Sequence, residues 1–217
     1  MKKGLTELVF ILDESGSMGH LRDDTIGGFN TMLEDQRGKD GEVLVTTYLF
    51  SDSSRMIHDR VPVNEVKELT AKDYVPHGCT ALLDAMGRAI RHIVGIHRYA
   101  REEDIPENTI FVITTDGMEN ASRRFSAEKI REMVSHEQEK YGWEFIYLAA
   151  NIDAVETAGR YGIRADSAVD YCPDAQGTEK LFESVNCAIH AKRCGADLKK
   201  SRAWREDIDA DFANRGK

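Results

Sequence analysis

Residues 9–18 read VFILDESGSM, an apolar run that ends in an acidic residue and continues into a short polar loop. Residues 9–12 carry no polar side chain, which is typical of a strand buried on both faces of a sheet. Asp13, Ser15 and Ser17 then place oxygen-bearing side chains at alternate positions, and Gly16 allows the backbone to turn between the serines. Three hard oxygens at this spacing suit a small divalent cation, provided that other parts of the chain supply further ligands.

The composition is that of an ordinary soluble globular protein. The 217 residues are 41% hydrophobic and 31% charged, and they suffice for one sizeable domain or two small ones. A net charge of −9 argues against binding to nucleic acid or to an anionic membrane. The sequence has no apolar run of about 18 residues and no signal-peptide pattern, so we expect a cytoplasmic protein without a membrane or nucleic-acid partner.

Apolar strands alternate with amphipathic helices along the chain. Strands are predicted at residues 7–12, 42–50, 55–63, 109–115, 143–149 and 168–171, and helices at residues 21–37, 80–97, 126–141, 153–161 and 178–194. This order predicts an α/β fold: a doubly wound, mostly parallel central sheet with one antiparallel edge strand and helices on both faces. We expect residues 1–195 to form one domain. The polar segment 196–217 is left open as a docking tail, a short helix or a disordered end.

The four cysteines, Cys79, Cys172, Cys187 and Cys194, form no CxxC pair, so free thiols in a reducing compartment are expected. Cys187, His190 and Cys194 share one helix face and have the chemistry of zinc ligands. Because no fourth ligand accompanies them, zinc is the disfavoured interpretation. Cys79 is expected to be a small buried residue.

Two further stretches supply oxygen ligands for the first loop. Asp116 directly follows the strand at 109–115, and Thr80 lies in a glycine-containing loop that opens a helix. In doubly wound sheets, ligands bind beyond the carboxyl ends of the strands, at the point where the strand order reverses. If the hairpin lies on one side of the first strand and 109–115 on the other, Asp13 and Asp116 come to lie side by side, within reach of Thr80.

The stretches DESGSM, GCTAL and TTDGMEN, in this order and with helices between them, resemble the metal-ion-dependent adhesion site (MIDAS) of von Willebrand factor type A domains. All five positions of that motif are filled, and the α/β pattern extends from about residue 5 to residue 194. The sequence looks like a stand-alone bacterial representative of the family, and the resemblance implies an intracellular protein-binding module.

The resemblance also implies a role for each motif residue. Ser15 and Ser17 would coordinate the ion directly, Thr80 directly or through water, and Asp13 and Asp116 directly or through bound waters. The ion would be Mg²⁺ or Mn²⁺, with Ca²⁺ as a further possibility. One coordination position would stay open for an Asp or Glu carboxylate of a protein partner, for example an ATPase or another subunit of a complex.

Ligand chemistry agrees with that reading. Oxygen ligands without nitrogen or thiolate favour a hard cation. Two aspartates nearly neutralise the ion, while hydroxyl ligands leave it able to attract one more anion. Residues that flank the motifs are candidates for setting specificity: His20, Arg22, His77, Met118, Glu119 and Asn120.

A Mg²⁺-dependent hydrolase or phosphotransfer enzyme that uses the same acidic site is the alternative. Enzymes of the haloacid-dehalogenase type need a second aspartate two positions after the first, where this chain has Ser15, and they need a positioned lysine. No lysine follows Asp116 before Lys129, and no GxSxG element is present. We therefore expect a binding module and no catalytic activity.

Overall fold

The computed structural model describes residues 1–198 and 200–216, which form six strands and six α-helices. The strands are β1 (Lys2–Asp13), β2 (Glu42–Phe50), β3 (Ser54–Pro62), β4 (Pro106–Thr115), β5 (Glu144–Ala149) and β6 (Ala168–Asp170). The helices are α1 (Arg22–Arg37), α2 (Leu82–Tyr99), α3 (Ala127–Tyr141), α4 (Ala154–Arg160), α5 (Ala175–Arg193) and α6 (Glu206–Arg215). None of the helices in these residues is both long and apolar enough to cross a membrane.

The strands form one sheet in the order β3-β2-β1-β4-β5-β6. All neighbours are parallel except β2 and β3, so the antiparallel hairpin strand lies at one edge. The predicted fold class is therefore confirmed. The strand order reverses at β1, which has β2 on one side and β4 on the other, and its carboxyl end is the switch point at which ligands of such sheets bind.

Helices cover both faces of the sheet, which explains why β1 is a continuous apolar run. Leu8, Phe10 and Leu12 point into a core closed by α1, α5 and α6, whereas Val9 and Ile11 point into a second core closed by α2, α3 and α4. Successive side chains of a strand face opposite sides, so a strand between two helical layers must be apolar at every position.

The segment from Gly16 to Leu21, which joins β1 to α1, is a 3₁₀ helix. The predicted start of α1 at Leu21 is therefore one residue early. A 3₁₀ helix winds more tightly than an α-helix, and the N–H of Ser15, which precedes it, donates to Asp13 Oδ1 over 2.7 Å. This compact turn keeps both serines close to Asp13.

The segment after residue 195 contains a helix in its described part. Trp204 and Ile208 are buried against α5 and β6, and Arg215 bridges Asp174 and Asp211 at 2.5 Å each. Lys199 and Lys217, which belong to the predicted tail, lie outside the described residues. The short helix, one of the three structures left open for this segment, is the one found at Glu206–Arg215.

Candidate metal site

Asp13, the last residue of β1, is fully buried, and both of its carboxylate oxygens accept hydrogen bonds. The Ser15 backbone N–H donates to Oδ1 over 2.7 Å, and the Thr115 hydroxyl donates to Oδ2 over 2.6 Å. Burial raises the pKa of Asp13 from 3.8 to about 6; these hydrogen bonds oppose the increase, and the nearby charge of Asp116 adds to it. Asp13 is therefore held in one orientation, in surroundings that disfavour its charge in the absence of a cation.

Ser15, Ser17 and Asp116 meet at the same point. The Ser17 hydroxyl donates to Asp116 Oδ1 over 2.5 Å, and the Oγ atoms of the two serines are 3.1 Å apart. Neighbouring ligands of an octahedral Mg²⁺ ion with bonds of 2.1 Å are about 3.0 Å apart. The two serine hydroxyls are thus spaced as adjacent ligands of one small ion.

The second carboxylate oxygen of Asp116, Oδ2, is buried and has no hydrogen-bond partner among the described residues. An unpaired buried oxygen of a charged group costs several kcal/mol by general estimates, and a cation removes that cost. Burial, with a further contribution from the charges of Asp116 and Asp13, raises the pKa of Tyr171 above its usual value. These observations describe a negative, oxygen-lined site that fits a hard divalent cation.

The loop of Thr80 is joined to the serine loop through the backbone. Gly16 N–H donates to the Gly78 carbonyl over 3.1 Å, and Thr80 N–H donates to Asn120 Oδ1 over 3.0 Å. In the described part of the chain, the Thr80 hydroxyl bonds to none of the other four predicted ligands. Its loop is therefore in place beside the site, and its coordination of the ion stays a prediction.

Gly78 requires both its left-handed backbone and its lack of a side chain. Its φ is +68°, and a Cβ atom there would lie 2.0 Å from Asp52 Oδ2. Asp52 approaches so closely because its Oδ1 accepts a hydrogen bond of 3.0 Å from Cys79 N–H. The turn between β2 and β3 thus holds the threonine loop at Cys79, the residue before Thr80, whose N–H donates to Asn120.

Sequence reasoning missed two residues that hold the site together. Thr115 orients Asp13, and Asp52 supports the Thr80 loop. Thr115 has a local sequence signal, because it directly precedes the predicted ligand Asp116, whereas Asp52 acts across a long sequence separation. Glu119, a predicted specificity candidate, supports the loop: its carboxylate accepts hydrogen bonds from the N–H groups of Leu83 and Ser122 at 2.9 and 2.7 Å.

The flanking residues differ in how much they are free to contact a partner. Four of these side chains are exposed, those of Met118, Asn120, His20 and His77; Met118 is 70% accessible, and Asn120 Oδ1 already accepts a hydrogen bond from the Thr80 N–H. His20 joins the Ser17 carbonyl to the Pro173 carbonyl at 2.8 and 3.1 Å, so it ties the serine loop to the start of α5. Cys79 is exposed, which contradicts the expected buried residue: its loop is held by backbone hydrogen bonds, and the side chain points outward.

A second metal centre is not formed by the cysteine and histidine residues of α5. Cys194 Sγ lies 3.7 Å from His190 Nε2, but no three His, Cys, Asp or Glu side chains converge on one point in residues 1–198 and 200–216. The oxygen-rich site at the end of β1 depends on serine hydroxyls. It is therefore not a cluster of three His, Cys, Asp or Glu side chains.

Comparison with known proteins identifies the fold. No family model and no curated protein matches the sequence. Among solved structures, the chain is similar to a von Willebrand factor type A protein from Catenulispora acidiphila, with a TM-score of 0.58, 13% identity, and coverage of 85% of this chain and 42% of the other. It is also similar to proximal thread matrix protein 1 from the mussel byssus with a zinc-occupied MIDAS motif, with a TM-score of 0.57, 15% identity, and coverage of 86% and 46%.

A third similar structure is the manganese-loaded TRAP protein of Plasmodium vivax, with a TM-score of 0.56, 15% identity, and coverage of 84% of this chain and 73% of the other. This chain spans less than half the length of the first two proteins. The fold of residues 1–198 and 200–216 is that of von Willebrand factor type A domains.

Proposed function

We propose that this chain, whose fold is that of von Willebrand factor type A domains, is a metal-dependent protein-binding module. Asp13, Ser15, Ser17, Thr80 and Asp116 would hold a divalent cation, and an Asp or Glu of a partner protein would complete its coordination. The observation that carries the proposal is Oδ2 of Asp116, which is buried and has no partner among the described residues, while Oδ1 of the same carboxylate accepts the hydrogen bond of the Ser17 hydroxyl. Two similar structures hold manganese and zinc respectively, which supports a divalent ion here; Mg²⁺ or Mn²⁺ is the finer proposal.

The charge balance of the ligands explains the affinity for a partner. Asp13 and Asp116 offset the two positive charges of the ion, and the hydroxyl ligands add no further charge. The bound cation would act as a Lewis acid that accepts one more oxygen. An external carboxylate is the strongest oxygen ligand that a protein surface offers to a hard cation.

Each protein residue has a definable task in this arrangement. Asp13 is oriented by Thr115 and the Ser15 backbone, so its charge faces the loop without a search among rotamers. Ser17 is held between Ser15 and Asp116, which sets the spacing of the hydroxyl ligands. The ligands are thus pre-organised, and little conformational entropy is lost when a cation binds.

We further propose that the chain itself catalyses no reaction and that its partner is a protein, for example an ATPase or another subunit of a complex. In the described structure, the carboxylates of Asp13 and Asp116 accept hydrogen bonds from Ser15, Ser17 and Thr115, and no lysine is among these partners. A location in the cytoplasm stays a prediction.

Calorimetric titration with MgCl₂ and with MnCl₂ tests the metal site. We expect one ion per chain for the wild-type protein and no measurable binding for Asp116→Asn, which keeps the side-chain shape and removes the charge. A pull-down from cell extract, in Mg²⁺ or in EDTA, then tests the partner. A partner that is retained both in EDTA and by Asp13→Ala would show that recognition lies elsewhere.

A screen for phosphatase and nucleotidase activity tests the enzymatic alternative. We expect no turnover above background in Mg²⁺. Turnover that depends on Mg²⁺ and disappears in Asp116→Asn would overturn the binding-module proposal, because the site would then act on a substrate.

A further inference from the structure

A groove lined by four arginines lies beside the candidate metal site. It has a volume of about 880 Å³ and lies between the N-terminal half of α2, the turn after β2 and the loop after β4. Arg88 and Arg91 belong to α2, and Arg123 and Arg124 belong to the loop that follows Asp116. We call this surface the arginine groove.

None of the four guanidinium groups forms an ion pair with a carboxylate in the described part of the chain. Two acidic residues also line the groove, but their oxygens are already engaged. Asp84 accepts hydrogen bonds from the backbone N–H groups of Arg123, Arg124 and Phe125 at 3.0, 2.8 and 3.0 Å, and Asp52 accepts one from Cys79. The lining keeps an excess of two positive charges in a chain whose net charge is −9.

The groove is pre-organised by a glycine of α2. Gly87 has no Cβ, and the ring of Phe125 fills that space; a Cβ there would lie 2.5 Å from the ring. The guanidinium of Arg91 lies 4.5 Å from the centroid of the same ring, a favourable cation–π contact. Phe125 therefore fixes Arg91, and the Asp84 hydrogen bonds fix the backbone that carries Arg123 and Arg124.

The arginine groove is structurally continuous with the metal site. Ala121, which lines the groove, donates its N–H to the Thr80 carbonyl over 3.3 Å. Asp52 lines the groove and also holds the backbone of Cys79. A ligand bound at the metal therefore lies one short loop away from the arginines.

We propose that the arginine groove binds an acidic peptide segment of the partner, next to the residue whose carboxylate completes the metal coordination. This inference rests on the proposed function, in which a carboxylate of the partner completes the metal coordination. It adds that the partner carries further acidic residues next to that carboxylate. Arginine pairs with carboxylates in a planar, two-pronged geometry, so four arginines that form no ion pair in the described residues, beside a carboxylate-seeking ion, favour such a cluster. A nucleic acid is disfavoured because the charge of −9 repels a long polyanion outside the groove.

Fluorescence anisotropy with labelled hexaglutamate tests the proposal at low ionic strength. The first variant is the double substitution Arg123→Gln with Arg124→Gln, since both side chains are exposed and their loss leaves the core intact. The matched control is Arg98→Gln with Lys140→Gln, which removes two exposed positive charges at the opposite end of the sheet. Circular dichroism verifies that each variant is folded.

We expect the Kd for hexaglutamate in MgCl₂ to rise about tenfold in the arginine variant and less than twofold in the control. EDTA should also weaken binding to the wild-type protein. Equal affinities of the two variants would overturn the inference, even if EDTA abolished binding. Loss of binding in the arginine variant without any effect of EDTA would instead contradict the proposed function.

Two further results would also overturn the inference. One is the absence of hexaglutamate binding to the wild-type protein in MgCl₂ at low ionic strength. The other is tighter binding of a single-stranded hexanucleotide than of hexaglutamate, with the same dependence on Arg123 and Arg124, because the groove would then recognise phosphates.

Discussion

Asp13, at the end of β1, and Asp116, directly after β4, differ in how many of their carboxylate oxygens form hydrogen bonds. Asp13 has a hydrogen bond to each carboxylate oxygen, whereas Asp116 has one oxygen bonded to Ser17 and one that is buried without a partner among the described residues. The two carboxylates are close enough that the charge of Asp116 contributes to the raised pKa of Asp13, and a cation bound between them would offset this repulsion. This difference in hydrogen bonding between the two carboxylates locates the candidate cation site at Asp116.

We expect Asp116→Asn to abolish the stabilisation of the protein by divalent ions. An ion that binds only the folded state raises its melting temperature, and the loss of one carboxylate ligand weakens binding by an expected factor of about 100. Thermal melts in EDTA and in MgCl₂ measure both effects, and Asp23→Asn, an exposed change on α1, is the control. An equal response of Asp116→Asn and wild type to MgCl₂ would contradict the assigned site.

The raised pKa of Asp13 predicts a pH dependence in metal-free protein. The folded pKa of about 6 lies above the ordinary value of 3.8, so the folded state binds more protons between these values. The Asp13 contribution to stability is therefore full below the unfolded pKa of 3.8 and is lost as the pH rises through the folded pKa of about 6, by about 3 kcal/mol in total.

Urea denaturation of wild type and Asp13→Asn in EDTA, at several pH values, isolates this effect. The stability of the variant relative to wild type should rise from pH 4 to pH 6 and then stay constant. A difference that does not vary with pH would show that Asp13 ionises at its ordinary pKa in the folded protein.

At the scale of elements, the packing of α1 against α5 depends on only one of two adjacent glycines. Gly27 and Gly28 both lie in α1, but a Cβ at Gly28 would be 2.2 Å from the ring of Phe182 on α5, whereas a Cβ at Gly27 would meet no atom within 4 Å. Phe182 is buried. Close packing of α1 against α5 therefore depends on Gly28.

The two glycines therefore respond in opposite ways to substitution by alanine. Gly27→Ala should stabilise the protein by about 0.5–1 kcal/mol, because alanine restricts the unfolded chain and favours a helix. Gly28→Ala should destabilise it by about 1–3 kcal/mol, since the added methyl group overpacks the contact with Phe182. Chemical denaturation of both variants measures the pair, and equal shifts in the same direction would contradict the packing argument.

At the scale of the whole molecule, the C-terminal segment completes one of the two cores. Trp204 and Ile208 join the cluster formed by β1, α1 and α5, although the surrounding segment is polar. Its charged residues form ion pairs along one side of α6, for example Arg205 with Asp209 at 2.7 Å. Because its apolar residues are few and widely spaced, the sequence does not distinguish between a docking tail, a short helix and a disordered end for this segment.

Trp204→Ala should destabilise the folded protein by about 3–5 kcal/mol, the usual range for removal of a buried aromatic side chain. The indole N–H of Trp204 has no hydrogen-bond partner in the described structure, so the expected loss comes from packing. Tyr99→Ala, at a side chain that is 86% exposed, is the control and should change stability by less than about 0.5 kcal/mol. Similar midpoints of urea unfolding for the two variants would contradict a packed C-terminal segment.

The sequence alone determined the order of strands and helices, the double-sided burial of β1 and the carboxylates that end β1 and β4. These are local properties, because hydrophobic periodicity and the residue after a strand can be recognised without knowledge of distant contacts. The inference that Asp13 and Asp116 are neighbours needed one further step, the strand order with β1 between β2 and β4, which the structure confirms.

Only the tertiary structure decided which groups support and surround the site. Asp52 and Cys79 are 27 residues apart and Thr80 and Asn120 are 40 apart, and no periodic pattern links such pairs. The arginine groove likewise combines α2 with a loop that follows β4. Such pairings arise when the chain closes long loops onto a packed sheet, so they depend on the relative positions of whole elements. The sequence thus determined which residues are the candidate ligands. The packing of the fold decided which residues support them and which surface lies beside them.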